Sequence, residues 1–278
     1  MPLLPIAVDW TVGLSALLAL VAWRQRAATP WAAVAGASIA ISLTLSTLPD
    51  NDYRFYAPWR TAMVPLVVLM VLTSMATRLG RTHKEQMGTA ERCQGRAPSQ
   101  VAANLGFATI VSMLSVLLWL GRLGIVQLGF SRLHGLSGTF WGSTLPFTAG
   151  IAALAESAAD TVSSEVGQVF GKRPRMVTTL RLAEPGTDGA ITVIGTLAGV
   201  LAGAVVSAAG AAALSGSWEM FAIASAAAVF GLLFDSLLGA TIERRGWLNN
   251  DAVNFLSTAS AAAFALGLMA ILPHGGVG

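Results

Sequence analysis

The stretch ALAESAADTVSSEVG, residues 153–167, places three carboxylates, Glu156, Asp160 and Glu165, in a segment otherwise rich in Ala, Leu and Phe. An ionised side chain at mid-bilayer costs about 2.5 to 3.5 kcal/mol on insertion scales, so such groups need polar surroundings and a task. At 3.6 residues per turn, Glu156, Asp160, Ser163, Ser164 and Gly167 fall within roughly 100° of arc, whereas Glu165 points away on a straight helix. A fourth carboxylate, Asp235, stands in another apolar run, with Gly231 and Gly239 one turn to either side. It lies about two turns inside that run, too deep for a helix cap. Gln100 and Asn104 share a helix face, as do Asn250 and Asn254. Asn249 or Asn250 is equally suited to capping the helix that follows.

The hexapeptide EPGTDG, residues 184–189, brings Gly186, Thr187, Asp188 and Gly189 to the start of an apolar run. Free backbone N–H groups and the positive dipole end make such a start a phosphate site, although Thr and Asp are also ordinary caps. Arg173, Arg175 and Arg181, with Thr178 and Thr179, precede it. An Arg guanidinium matches phosphate oxygens with a fixed fork of donors. Carboxylates and amide oxygens suit a hard cation, Mg²⁺ above all. Cys93 is the sole cysteine and His83, His134 and His274 are scattered, so neither a disulfide nor a Cys/His zinc site is expected. Carboxylates, a hard metal, Arg side chains and a Gly-rich turn are the parts of a phosphoryl-transfer site, whose chemistry is positioning and charge neutralisation. No Walker A sequence or kinase catalytic loop is present, so such a site would be of another construction.

The elements that must carry these residues are membrane helices. Of 278 residues, 54% are hydrophobic and 11% charged, against about 25% charged in a soluble domain. A span takes about 20 mostly apolar residues. Eight windows qualify, near 6–23, 31–48, 58–77, 100–120, 140–165, 190–213, 218–241 and 252–272. The first has no basic leader and holds Asp9 and Trp10, which favours a retained helix over a signal peptide. The expected fold is an all-α polytopic bundle of about eight transmembrane helices, a single integral membrane domain over residues 1–278.

Basic residues in short flanking loops mark the cytoplasmic side. With the N-terminus outside, the inner loops hold Arg24, Arg26, Arg78, Arg81, Lys84, Arg92, Arg96, Lys172, Arg173, Arg175, Arg181, Arg244 and Arg245; the outer loops hold Arg54, Arg60, Arg122 and Arg132. Both termini are thus expected outside, in the plasma membrane of a prokaryote. The Asp, Asn and Gln residues then gather at the cytoplasmic ends of spans four to eight. Gly195, Gly199 and Gly203 repeat at i+4 along span six, a ridge of the kind that lets helices approach closely.

At these residues the chain resembles the integral-membrane family known as domain of unknown function 92, which includes plastid phytyl-phosphate kinase and transmembrane protein 19. The resemblance runs through RAPSQVAAN (96–104), AADTVSSEVG (158–167), KRPRMVTTLRLAEPGTDGAITVIGT (172–196) and GLLFDSLLGATIERRGWLNNDAVNFLS (231–257). Residues 96–260 would form its catalytic core, and residues 1–95 a variable set of N-terminal helices. It implies a kinase that makes an isoprenoid diphosphate from phytyl or polyprenyl monophosphate, with a nucleoside triphosphate, CTP by analogy with related prenol kinases, as donor. On this view Asp160 and Asp235 would hold Mg²⁺, with Glu165 a third ligand or a neighbour supporting them. Gly186 to Gly189, Arg175 and Arg181 would cradle phosphates, and Gln100, Asn104, Asn250 and Asn254 would orient nucleotide or acceptor. The chain departs from the family pattern at Val162, where Trp is usual, and at Glu243, where Gln is usual.

Two other activities fit similar residues. A transporter would use intramembrane carboxylates near the midplane, and a nucleotidyltransferase making CDP-linked lipids would use the same metal ligands. A silent member that only binds prenyl phosphates is a third reading. Beyond lipid, nucleotide and bilayer, no nucleic-acid partner is expected, and a homo-oligomer stays open.

Overall fold

The computed structural model describes residues 4–47, 58–88, 95–122, 144–214 and 217–272. Among them, eight long helices occupy the eight apolar windows: α1 (Leu4–Arg24), α2 (Pro30–Ser46), α3 (Met63–Arg78), α5 (Pro98–Arg122), α6 (Thr144–Phe170), α7 (Val193–Leu214), α8 (Trp218–Thr241) and α9 (Asn250–Ile271). The chain is an all-α membrane bundle. Segments Val193–Leu214, Trp218–Arg245 and Asn250–Ile271 are each long and apolar enough to cross a bilayer; α2 and α3 are apolar but shorter.

Two features depart from the expected pattern of helices and loops. The loop after α3 contains a short helix, α4 (Arg81–Gln86). The loop after α6 folds into an antiparallel pair, β1 (Arg175–Met176) with β2 (Ala190–Ile191), in which Arg175 faces Ile191. Hydropathy cannot register either element, because α4 is six polar residues and each strand is only two residues long.

Helix α6 is the axis of the bundle. Leu145 through Ala159 are buried on every face, and a helix apolar all round must be enclosed by others. It packs against α3, α5, α7, α8 and α9. The repeated alanines on α6, with Ala149, Ala152, Ala153, Ala155 and Ala158 fully buried, let five neighbours come close enough for dense van der Waals contact.

The glycine ridge of α7 seats directly on this axis. A side chain at Gly195 would put its first carbon 2.6 Å from the Ser163 carbonyl oxygen, and one at Gly199 would lie 2.6 Å from that of Ala159. Backbone cannot yield as a flexible side chain can, so Gly199→Leu is expected to destabilise the α6–α7 pair by several kcal/mol, on the order of 3. Thermal unfolding in detergent should fall steeply for this variant, while Gly267→Leu, on α9 with no neighbouring atom within 4 Å, should unfold like the wild type.

The basic loops meet at one end of the bundle. Arg78 Nη2 donates to Gln25 Oε1 at 2.9 Å, Thr29 N donates to Arg96 O, Lys84 pairs with Glu165, and Arg244 Nη1 reaches Met176 Sδ at 3.8 Å. The C-terminal end of α1 and the N-terminal end of α9 both lie here, so the first and last described helices point their free ends toward the opposite side. Arg54, Arg92 and Arg132 of the flanking loops lie outside the described residues, as do Cys93, His134 and His274.

Candidate active site

At this basic end, a polar cavity of about 370 Å³ opens between α5, α6, α8, α9 and the hairpin loop. Its wall includes Gln100 and Asn104 from α5, Asp160 and Glu165 from α6, Asp235 from α8, Asn250 and Asn254 from α9, and the turn Gly186 to Gly189. Residues far apart in the chain thus converge on one locus.

Asp160 and Asp235 are its centre. Their carboxyl groups meet across the α6–α8 interface closely enough to interact directly. Oδ1 of Asp235 is buried with no hydrogen-bond partner. Two facing carboxylates repel unless a cation or a shared proton lies between them, and an all-oxygen donor set suits a hard divalent ion. The residues therefore fit Mg²⁺ through two carboxylates. Among the described residues no set of three acidic, His or Cys side chains has metal-binding geometry.

Glu165 has another partner. It ion-pairs with Lys84 of α4, which is buried, and Lys84 Nζ also donates to the carbonyls of Ala76 (3.2 Å) and Thr77 (2.8 Å) at the end of α3. A cation at a helix C-terminus is favoured by the dipole. The pair thus ties α3, α4 and α6 together at the cavity wall, where Glu165 is engaged by Lys84. Removing one member of a buried pair leaves the other charge uncompensated, at about 3 kcal/mol or more. Lys84→Met is expected to lower thermal stability by that amount, with Lys84→Met/Glu165→Gln recovering most of it. If Glu165 instead served chiefly as a ligand, Glu165→Gln would remove activity without altering unfolding.

Asn104 and Asn254 are joined: Asn254 Nδ2 donates to Asn104 Oδ1 at 3.1 Å. Both are buried, and the bond locks α5 to α9 across the cavity floor. Gln100 Oε1 accepts from the Ala97 backbone N–H at 2.7 Å, closing the first turn of α5, which starts at Pro98 as the missing N–H of proline permits. Asn249 is the cap of α9, its side chain accepting from Ala252 N, which leaves Asn250 on the wall.

The turn at Gly186 to Gly189 sits beside Asp235 rather than at a helix start. Helix α7 begins at Val193, four residues after Gly189, with Thr192 Oγ1 just before it accepting from Gly195 N at 3.1 Å. Gly189 has a left-handed backbone (φ +73°), and a side chain there would lie 2.2 Å from the Ala240 nitrogen. That close approach holds the turn on α8. A tight glycine turn reads as a helix entry, but here it leads first into β2 of the strand pair. Arg175 and Arg181 do not line the cavity. Both are exposed, and Arg175 Nη1 donates to the Leu180 carbonyl at 2.7 Å, spending its fork on the hairpin itself.

Among the described residues, the arginine that lines the cavity is Arg96. Its Nη2 approaches Thr161 Oγ1 at 3.4 Å, and its charge acts on Asp160. Spacing could not single it out, since it precedes α5 and shares no helix face with the other groups. Gln168 was legible in principle: it continues the i+4 row of Asp160 and Ser164, lines the cavity, and keeps Oε1 buried without a partner. Glu243 also lines it.

Glu156 lies one turn deeper, outside the cavity wall. It is 1% exposed and fits because Gly231 of α8 has no side chain: a carbon there would be 2.5 Å from Glu156 Cγ.

The family model described as Integral membrane protein DUF92 matches residues 13–262. The chain belongs to this family. The match takes in part of α1, all of α2 and α3, and residues 96–262. Relatives within reach of this DUF92 chain include an uncharacterized membrane protein of Methanocaldococcus jannaschii, 44% identical over 108 residues, 39% of this chain and 45% of the other. An uncharacterized membrane protein of Synechocystis is 28% identical over 89% of this chain and 95% of its own. Protein VTE6, chloroplastic, of Arabidopsis thaliana is 28% identical over 84% of this chain and 64% of its own. No solved structure matches the chain.

Proposed function

We propose that this DUF92 protein is an isoprenoid monophosphate kinase, transferring the γ-phosphoryl group of a nucleoside triphosphate, CTP by preference, to phytyl or polyprenyl monophosphate. The observation that carries the reading is the facing of Asp160 and Asp235, from separate helices, on a polar cavity at the basic end of an otherwise apolar bundle. Similarity to Protein VTE6, and the resemblance to a family that includes phytyl-phosphate kinase, support the same substrate class.

Asp160 and Asp235 would hold Mg²⁺, which when bound supplies the charge neutralisation a triphosphate needs. Arg96 would orient the acceptor phosphate beside them with a planar fork of donors. The turn Gly186 to Gly189 lines the side of the cavity where a nucleotide would lie, and the Asn104–Asn254 bond fixes the spacing of the helices beneath. A non-bridging oxygen of the acceptor phosphate attacks the γ-phosphorus; the bond from that phosphorus to the β–γ bridging oxygen breaks, and a nucleoside diphosphate leaves. The attacking oxygen is already anionic, so no side chain has to remove a proton. Holding the two phosphates in line accounts for much of the acceleration.

The basic end faces the cytoplasm in this reading, where nucleoside triphosphates are found, and the bundle sits in a prokaryotic plasma membrane. A site at one end, rather than at mid-bilayer, is what a lipid phosphate and a soluble nucleotide both need. The test is turnover of purified protein with CTP, ATP or GTP labelled at the γ-phosphate and, separately, at the α-phosphate, against farnesyl, geranylgeranyl and phytyl phosphate. Label from the γ-position in lipid diphosphate is expected. Label from the α-position would establish nucleotidyl transfer instead, and no product from any pair would reject the kinase.

A further inference from the structure

A second cavity, of about 180 Å³, runs between α1, α2, α3 and α5 on the other side of Arg96. Its walls are largely apolar, with Leu18 of α1, Ala40 of α2, Leu66 of α3 and Leu105 of α5 among them, and Arg26, Arg78, Arg81 and Arg96 line its basic end, Arg81 being paired with Glu85 at 2.8 Å. No acidic side chain lines it among the described residues. From Ala32 to Ala40 the groove follows α2 for about 12 Å, at 1.5 Å per residue.

The basic mouth is built with care. The turn after α1 puts Arg26 in the left-handed region (φ +56°), an uncommon conformation for a residue other than glycine. Gly95, at φ +83°, presses on this turn so closely that a side chain would begin 2.5 Å from the Arg26 carbonyl oxygen. Thr29 N donates to Arg96 O at 3.0 Å and Arg96 N donates to Ala27 O at 3.1 Å. The α1–α2 turn therefore grips the backbone of Arg96, whose side chain extends to Thr161 beside Asp160. Arg96 belongs to both cavities, and it is where the apolar groove meets the polar site.

We propose that this groove is the seat of the acceptor lipid: the hydrocarbon chain of an isoprenoid monophosphate lies between α1, α2, α3 and α5, and its phosphate rests among the arginines at Arg96. The chemistry of the occupant rests on the kinase reading above; its location rests on the groove. A single-chain lipid with an anionic end matches a largely apolar shaft closed by positive charge, and Arg96, which lines both cavities, would hold that end beside the one that contains Asp160 and Asp235. Chain-length selection then belongs to α1–α3, and phosphoryl transfer to α5–α9.

The test uses the full-length protein in nanodiscs and a geranylgeranyl phosphate bearing a photoreactive diazirine at the far end of its chain. Labelling is expected on α1, α2, α3 and α5, displaced by unlabelled geranylgeranyl phosphate and not by phosphatidylglycerol. Gly36→Leu narrows the groove at a site where a first side-chain carbon meets only Val101, at 3.9 Å, so the fold should accept it. It should cut labelling and raise the KM for geranylgeranyl phosphate about tenfold, the scale of a few methylenes in an apolar pocket, with the KM for nucleotide unchanged. Labelling elsewhere, no labelling, equal displacement by phosphatidylglycerol, or indifference to Gly36→Leu would overturn the assignment. The two readings fail separately. Groove labelling without diphosphate from any nucleotide rejects the kinase and keeps the lipid site; diphosphate formed with labelling outside the groove does the reverse.

Discussion

Asp160→Asn and Asp235→Asn are each expected to reduce lipid diphosphate formation by roughly 10²- to 10³-fold or more, the scale on which a single preorganised electrostatic contact matters to catalysis. The substitution keeps side-chain volume, so packing of α6 against α8 should persist. Its effect on stability should have the opposite sign. Two carboxylates face each other here, and in the absence of a cation that proximity is unfavourable. Each single Asn variant should therefore unfold at a higher temperature than the wild type in chelator. Adding Mg²⁺ should reverse the order. An ion that binds only the folded state stabilises it by about 2.7 kcal/mol at a hundred times its Kd, and neither Asn variant should show that gain. A wild-type protein indifferent to Mg²⁺ in both unfolding and turnover would remove the metal from the proposal. Equal turnover in the variants would remove the carboxylates as well.

The sequence carried the main architecture and the centre of the site, and the reason is the cost of burying charge. Asp160 and Asp235 stand out because an apolar helix has few reasons to retain them, and the cavity joins them to Gln100, Asn104, Asn250, Asn254 and the glycine turn. The small-residue ridge of α7 was equally readable, since only close backbone approach requires Gly at Gly195, Gly199 and Gly203 together. What could not be read depends on which groups bond to which. Glu165 looks as suited to a metal as Asp160, and only Lys84, eighty-one residues earlier, gives it another partner. Arg175 and Arg181 look suited to phosphate but are exposed on the hairpin, whose strands are only two residues long each, below what periodicity can register. Arg96 was hidden for the converse reason, because its position comes from a bridge to Ala28 and not from any helical repeat.

Arg96 carries the second large expectation. Arg96→Ala should lower turnover with prenyl phosphate about 100-fold, through loss of a charge-assisted contact to the acceptor, while the fold is kept. The structure explains why these effects separate: the bonds that tie residue 96 to the α1–α2 turn are made by its backbone nitrogen and oxygen, which alanine retains. Thermal unfolding should thus change little, and the stabilisation by Mg²⁺ should survive, in contrast to the Asp variants. Arg96→Lys preserves the charge but not the planar fork and should restore only part of the rate. The KM for the lipid phosphate should rise more than the KM for the nucleotide, since residue 96 lines both the groove proposed for the lipid and the polar cavity. A lysine variant with full activity would mean that Arg96 contributes a diffuse field and no oriented contact. An alanine variant that loses Mg²⁺ stabilisation would place its role at Asp160, as the balancing charge of the carboxylate pair.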